Sequence, residues 1–356
     1  MAYYNIKGEP FRYKGAVDVS DCKTSEEVMI KAGLNFTVDK CELFAKMKVN
    51  IDGSDEQLDS LNKEMQETDS HLFKGDMYRN CQNAYATYRT DYNIPLGVVK
   101  QKYTIVQNTE AFSFFDNAVG KNQALFQTAG CFGKGETIFV SAKLPFDILV
   151  KGDPVDNYLV FTNNHDGTAG VKMLFTPIRV VCKNTLSAAI RTTTNYVSFK
   201  HTKSVHKNID LAQELLGICK KQRDIVQTNY DFLANIKVTD DETMEYIVKS
   251  ILSDDELQQL KLANISYKNV CYKNVVVLDN TTISTRKINV ISDIWNYYNE
   301  GIGQREIQGT MWGAYNAFTG FWSNCDNAVG ESRMNSLLYG DKGRKIQNAL
   351  ALALTY

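Results

Sequence analysis

The 356-residue chain lacks most of the features that would assign it a chemistry at once. Its eight cysteines stand at 22, 41, 81, 131, 182, 219, 271 and 325, and no two form a CxxC pair. Its four histidines form no cluster, so no zinc-ligand pattern is present. No GxxxxGK[ST] run occurs, which excludes the phosphate loop of P-loop nucleotide hydrolases. No segment approaches the ~20 apolar residues of a membrane span. The opening MAYYNIKGEPFRYKG has no apolar signal-peptide core. A cytoplasmic protein with reduced thiols is therefore expected. Five prolines and 22 glycines argue against a collagenous or low-complexity chain. A net charge of −1 excludes a general polycation, so any affinity for nucleic acid must come from a local patch.

What is present is an ordinary globular mix, 44 % apolar and 23 % charged, on a chain long enough to bury a sizeable core. The charge is unevenly spread. From Arg179 to Arg223 there are nine Lys/Arg against two acids, a net of +7, which leaves −8 for the rest. A solvated strand and helix surface is the plain explanation for such a run, and a basic surface for an acidic partner is the functional one.

Along the chain, TSEEVMIKAG (24–33) predicts a short helix, with Thr24 and Glu27 fitting a capping box and Gly33 a C-terminal stop. LNFTV (34–38) and CELFAKMKV (41–49) read as strands. The acid-rich 51–71 stretch reads as an exposed helix or an insertion. NAYATYRTD and GVVKQKYTIVQ read as a hairpin joined through NIPL, and Asn108-Thr109-Glu110 opens a helical pattern ending at Gly120. Two strands surround Gly130, Gly133 and Gly135, and another hairpin turns at Asp166-Gly167. After Pro177 a strand leads to a helix capped by Asn184. From 208 onward the pattern is helical, with Ala212, Leu215, Cys219, Val226, Tyr230 and Leu233 on one face. Thr239 and Glu242 fit a second capping box, and 285–298, 304–337 and 342–354 read as helices. The fold class is α+β, with a largely antiparallel sheet and packed helices over 1–207 and a mainly helical part over 208–356. The two parts are compatible with one packed unit.

Several stretches together resemble one family. They are KAGLNFTV (31–38), YRTDYNIPLGVVKQKYTIVQNTEAFSFFD (88–116), NNHDGTAG (163–170), TPIRVVCKNTLSAA (176–189), FKHTKSVH (199–206) and YNAFTGF (315–321). They are similar to the uncharacterised phage- and plasmid-like protein family, found in prophages, plasmids and phages. RVVCKNTL and YTIVQNTEAF carry most of the likeness, which spans roughly 10 to 350; the 51–71 stretch fits it poorly. The resemblance implies a mobile-element setting and supplies no reaction.

The candidate site residues are basic and aromatic. Arg179, Lys183, Arg191, Lys200, Lys203 and Lys207 can track phosphates, and Tyr196 can stack on a base. In a strand over 195–203, Tyr196 and Lys200 share a face while Phe199 turns to the core. A structural ion pair with an acid-rich segment is the plain alternative for Arg179. Asn184 reads as a helix cap, although the free amides behind it can also hold an anion. Cys182 with His201 or His206 is a poor nucleophile–base pair, because such pairings do not transfer between families. His165-Asp166 offers two metal ligands at most, and the turn explains Asp166-Gly167 without chemistry. AGCFGKGET reads as a turn, YGDKGRKIQ as a weak phosphate-like signal, and the aromatic 311–322 helix as core or a subunit interface. The expected function is nucleic-acid binding in phage DNA metabolism, with single-stranded DNA favoured and annealing its most concrete form. The expectation includes no enzyme activity, no metal, no cofactor, no membrane and a homo-oligomer. The competing expectation is an interaction protein, structural or inhibiting a host defence factor, whose 179–207 segment meets an acidic protein surface.

Overall fold

The computed structural model describes residues 16–48, 56, 59–60, 63, 70–73, 76–112, 124–181, 196–202, 212–271, 281–325 and 330–356. After β1 (Ala16–Asp18), Thr24 caps α1 (Ser25–Ala32) by accepting from the Glu27 amide, and Gly33 ends it in the left-handed region at φ 66°. Residues 34–37 join no ladder and only Val38 opens β2, which corrects the reading of LNFTV as a strand. β2 (Val38–Lys48), β3 (Ser70–Phe73), β4 (Asp76–Arg89) and β5 (Ile94–Lys100) form a four-stranded antiparallel sheet. The long β4 pairs with β2 along one edge and with β3 and then β5 along the other. The connection after β4 has four residues, 90–93, the length NIPL implies, but it lies three residues earlier, since Ile94 already pairs with Arg89. YTIVQ (103–107) likewise joins no ladder, and 108–112 begin a helix. Most of 51–71 and the remainder of the 108–120 helix lie outside the described residues.

The larger sheet holds seven strands, all antiparallel. In spatial order they are β1, β6 (Leu125–Phe132), β7 (Thr137–Lys143), β9 (Asp153–Asn164), β10 (Val171–Arg179) and β11 (Tyr196–Phe199), with β8 (Ile148–Val150) also on β9. The hairpin β9–β10 turns at Asp166-Gly167, with Gly167 at φ 78°. Its strands are covered on both faces, which explains the unbroken apolar runs YLVF and MLF. One face carries Val140, Leu159, Phe161, Met173 and Phe175 into the main core. The other buries Phe132, Phe139, Val160 and Leu174 in a second cluster with Met334 and Leu338.

The helical part comprises α2 (Ala212–Asn235), α3 (Asp240–Ile251), α4 (Asp254–Leu262), α5 (Tyr267–Cys271), α6 (Thr285–Glu300), α7 (Met311–Gly320), a π-helical turn (Phe321–Cys325), α8 (Gly330–Leu338) and α9 (Asp341–Ala353). Cys219, Val226, Tyr230 and Leu233 of α2 are buried, as their spacing predicts. Thr239 and Glu242 complete the capping box of α3 in both directions. Residues 304–310 form turns rather than the helix their sequence suggests. Every residue of α7 is buried, so its aromatic side chains are core. Among the described residues, no helix is long and apolar enough to cross a membrane.

Candidate functional site

Of the basic residues singled out above, Lys183, Arg191, Lys203 and Lys207 lie outside the described residues, as does the helix expected at Asn184. Arg179 ends β10 and is fully buried. Its Nε donates to Asp153 Oδ2 at 2.6 Å and its terminal nitrogen donates to the Gly303 carbonyl at 2.8 Å. The same Asp153 oxygen accepts from Trp312 Nε1 at 2.8 Å. Phosphate contact by Arg179 is thereby corrected. Its charge is spent on joining the end of β9–β10 to α7, and burial keeps it from any solvent-borne anion. The partner is Asp153 at the start of β9, not one of the acid-rich segments. In β11, Tyr196 holds the register position opposite Leu174, and Ser198 that opposite Lys172. Lys200 follows the strand and is exposed, whereas Phe199 packs half-buried against the main core, as alternation predicts.

Four of the quoted stretches converge beside the β9–β10 turn. Asn108 donates its amide to the carbonyls of Leu34 (2.8 Å) and Phe36 (3.2 Å). Its oxygen therefore faces His165 Nε2, 2.8 Å away, and that nitrogen carries the proton. His165 is wholly buried, and its Nδ1 has no hydrogen-bond partner. Protonating Nδ1 would strand an N–H in the interior, and burial, with a smaller effect from His201, lowers the His165 pKa to about 3. Asn163 donates to the Val106 carbonyl at 2.9 Å, and Tyr103 donates to the Asn164 carbonyl at 2.7 Å. His201 stacks on Tyr103 with ring centroids 4.6 Å apart and approaches the Thr104 carbonyl through Nδ1 at 3.1 Å. Burial lowers the His201 pKa against the opposing pull of that carbonyl and of Asp166. A metal at His165-Asp166 finds no support, because the imidazole is turned inward and hydrogen-bonded. Among the described residues, no three His, Cys, Asp or Glu side chains are grouped to hold one.

Outside this network, on the second face of the large sheet, lies a cleft of about 620 Å³. Its floor is Thr162 and Lys172, directly opposite each other in the β9–β10 register. Asn164, donating to Thr137 Oγ1 at 2.7 Å, forms one side, and Glu136 and Asp166 line the turns above it. Tyr339, at the corner between α8 and α9, closes the other side with Asn335, Ser336 and Gly340. The Tyr339 hydroxyl lies 3.3 Å from Thr162 Oγ1, and the Lys172 ammonium sits over its ring, 4.6 Å from the centroid. Partial burial lowers the Lys172 pKa. Lys172 is not among the residues singled out from sequence, and Tyr339 enters there only as the first residue of YGDKGRKIQ. The available signal was a lysine as the one charged residue of VKMLFTPI (171–178), a composition otherwise fit only for the interior.

The family model described as "Domain of unknown function (DUF932)" matches residues 95–338. The chain belongs to this family. The DUF932 match begins in β5 and ends with α8, so it contains the large sheet from β6 onward, the His165–Asn108 network and nearly all of the cleft. It leaves out β2, β3 and β4 of the smaller sheet, together with Tyr339, Gly340 and α9. No curated protein and no solved structure matches the chain.

Proposed function

We propose that this DUF932 protein is a non-enzymatic nucleic-acid-binding protein of a phage or related mobile element, with single-stranded DNA as its ligand. It acts in the cytoplasm as a homo-oligomer, in strand annealing or protection. The observation that carries the reading is the edge of the large sheet. β11 is an outer strand, with Tyr196 at its start, exposed Ser198 within it and exposed Lys200 just past its end. A cation and an aromatic residue along one edge strand are the two elements that single-strand binding requires, one for phosphate and one for a base face. Lys183, Arg191, Lys203 and Lys207 flank that strand in sequence and extend the phosphate tract; Arg179, committed to Asp153, is not part of it.

The test is fluorescence anisotropy with a labelled single-stranded oligonucleotide and a duplex control across a salt series. Single-strand binding should exceed duplex binding and fall steeply with salt. Lys200→Glu should weaken it and reduce the salt slope by about one. Absence of binding at the lowest salt refutes the reading, and unchanged affinity in Lys200→Glu removes β11 from the interface.

A further inference from the structure

We propose that the cleft between the β9–β10 turn and Tyr339 receives one unstacked nucleotide of the bound strand and favours a base that carries an exocyclic amine. The inference rests on the single-strand reading above and gives it a base preference.

Position argues for the strand. Ser198 of β11 stands opposite Lys172, which forms the cleft floor, so the outer strand and the cleft are one inter-strand spacing apart, about 5 Å. A backbone following β11 past Lys200 has the cleft within reach of a single rotated-out nucleotide. The cleft volume, about 620 Å³, is in the range of small-ligand sites. Its lining selects the ligand. Lys172 supplies a cation for a phosphate at the end nearest β11. The opposite end presents the carboxylates of Asp166 and Glu136, which accept hydrogen bonds and donate none. The exocyclic amines of cytosine, adenine and guanine donate to such groups. Thymine has no amine; its one edge donor, N3–H, lies between two carbonyls that would face the carboxylates. Asp166 Oδ1 already accepts from the Thr168 amide at 2.9 Å and from its hydroxyl at 2.7 Å, which fixes the carboxylate in place. Hydroxyls of Thr162 and Tyr339 and the amide of Asn164 complete a polar wall able to serve the sugar and the remaining base edge.

The experiment compares dC and dT oligomers of equal length by anisotropy at one salt concentration. It uses the wild-type chain, Asp166→Asn and Lys172→Met, with free deoxycytidine monophosphate titrated separately by calorimetry. The wild type should bind dC at least about fivefold tighter than dT, the lower end of what one base-edge contact discriminates. Asp166→Asn retains an oxygen for the Thr168 turn, so it should erase the preference while leaving dT affinity within twofold or so of wild type. Lys172→Met keeps the buried stem and should weaken dC more than dT. Equal dC and dT affinity in the wild type, or a preference that survives both variants, overturns the cleft assignment while the single-strand reading stands. Binding of neither oligomer overturns both. If the free monophosphate binds and the dC oligomer fails to displace it, the cleft serves free nucleotides and the proposal falls.

Discussion

His165 gives this protein an acid sensitivity that can be worked out from its surroundings. The ring is fully buried and neutral, with the proton on Nε2 directed at Asn108 and a bare Nδ1. Folding lowers its pKa from the ordinary 6.5 to about 3. Between those values the unfolded chain binds a proton that the folded chain refuses, so stability rises with pH. The contribution is fully present above pH 6.5 and is lost as pH falls toward the folded pKa. The slope is about 1.4 kcal/mol per pH unit, or about 2 kcal/mol by pH 5. The window from pH 7.5 to 5 separates the buried histidines from the carboxylates. The carboxylates that folding shifts, such as Asp91 beside Arg89 and Asp341 beside Lys345 and Arg344, are held below their ordinary values and titrate under more acid conditions. His201, lowered by burial in the same sense, adds to the slope.

The assay is urea unfolding at several pH values in that window, for the wild type and for His165→Gln. The glutamine amide can still donate to Asn108, and it does not titrate. The variant should be less stable at pH 7.5, yet lose about 2 kcal/mol less than the wild type on going to pH 5. Ring nitrogen NMR should show the Nε2–H tautomer of His165 unchanged across the window. Parallel pH dependences for the two proteins, or a His165 ring that titrates near 6.5 while the chain is folded, would refute the reasoning.

Three further outcomes follow from contacts described above. Asp153→Ala removes the partner of both Arg179 and Trp312 and leaves a buried guanidinium uncompensated. It should cost about 3–5 kcal/mol in urea unfolding, whereas surface Asp224→Ala, beside half-exposed Arg223, should cost under about 1 kcal/mol. At Gly97 an added Cβ would sit 2.4 Å from Asp166 backbone atoms, so Gly97→Ala must displace the β9–β10 turn from β5. A loss of about 1–3 kcal/mol and faster amide exchange at 165–168 should appear together; unchanged exchange there would mean that β5 moves instead. Lys200→Glu, which alters an exposed residue, should leave the unfolding midpoint within about 0.5 kcal/mol of wild type while weakening DNA binding.

Local signals in this sequence were readable wherever the structure depends on neighbouring residues. Thr24 and Gly33 bound α1, Thr239 and Glu242 cap α3, and Asp166-Gly167 turns the β9–β10 hairpin. LNFTV and YTIVQ misled for one shared reason. Their composition favours a strand, but side chains take several of the backbone groups that a neighbouring strand would pair. Asn108 takes the carbonyls of Leu34 and Phe36, Asn163 takes that of Val106, and Lys40 takes that of Tyr103. Whether such a segment finds a ladder or an asparagine is decided by residues far away in the chain, which periodicity does not carry. The Arg179 ion pair was closer to legible. Arg179 pairs in register with Val155, at equal distance from Gly167, so counting outward from the turn brings Asp153 to its side.

This bears on where to look for function. Two of the stretches that carried the family resemblance, YTIVQNTEAF and NNHDGTAG, contribute Val106, Asn108, Asn163 and His165 to a buried lattice that holds irregular segments on the sheet. Substituting those residues would unfold or loosen the chain, and loss of any activity would then say nothing about ligands. Asn164, Asp166 and Lys172 belong to the same hairpin but face the cleft. They can be changed without breaking the lattice, so variants at these three positions separate a binding role from a folding role.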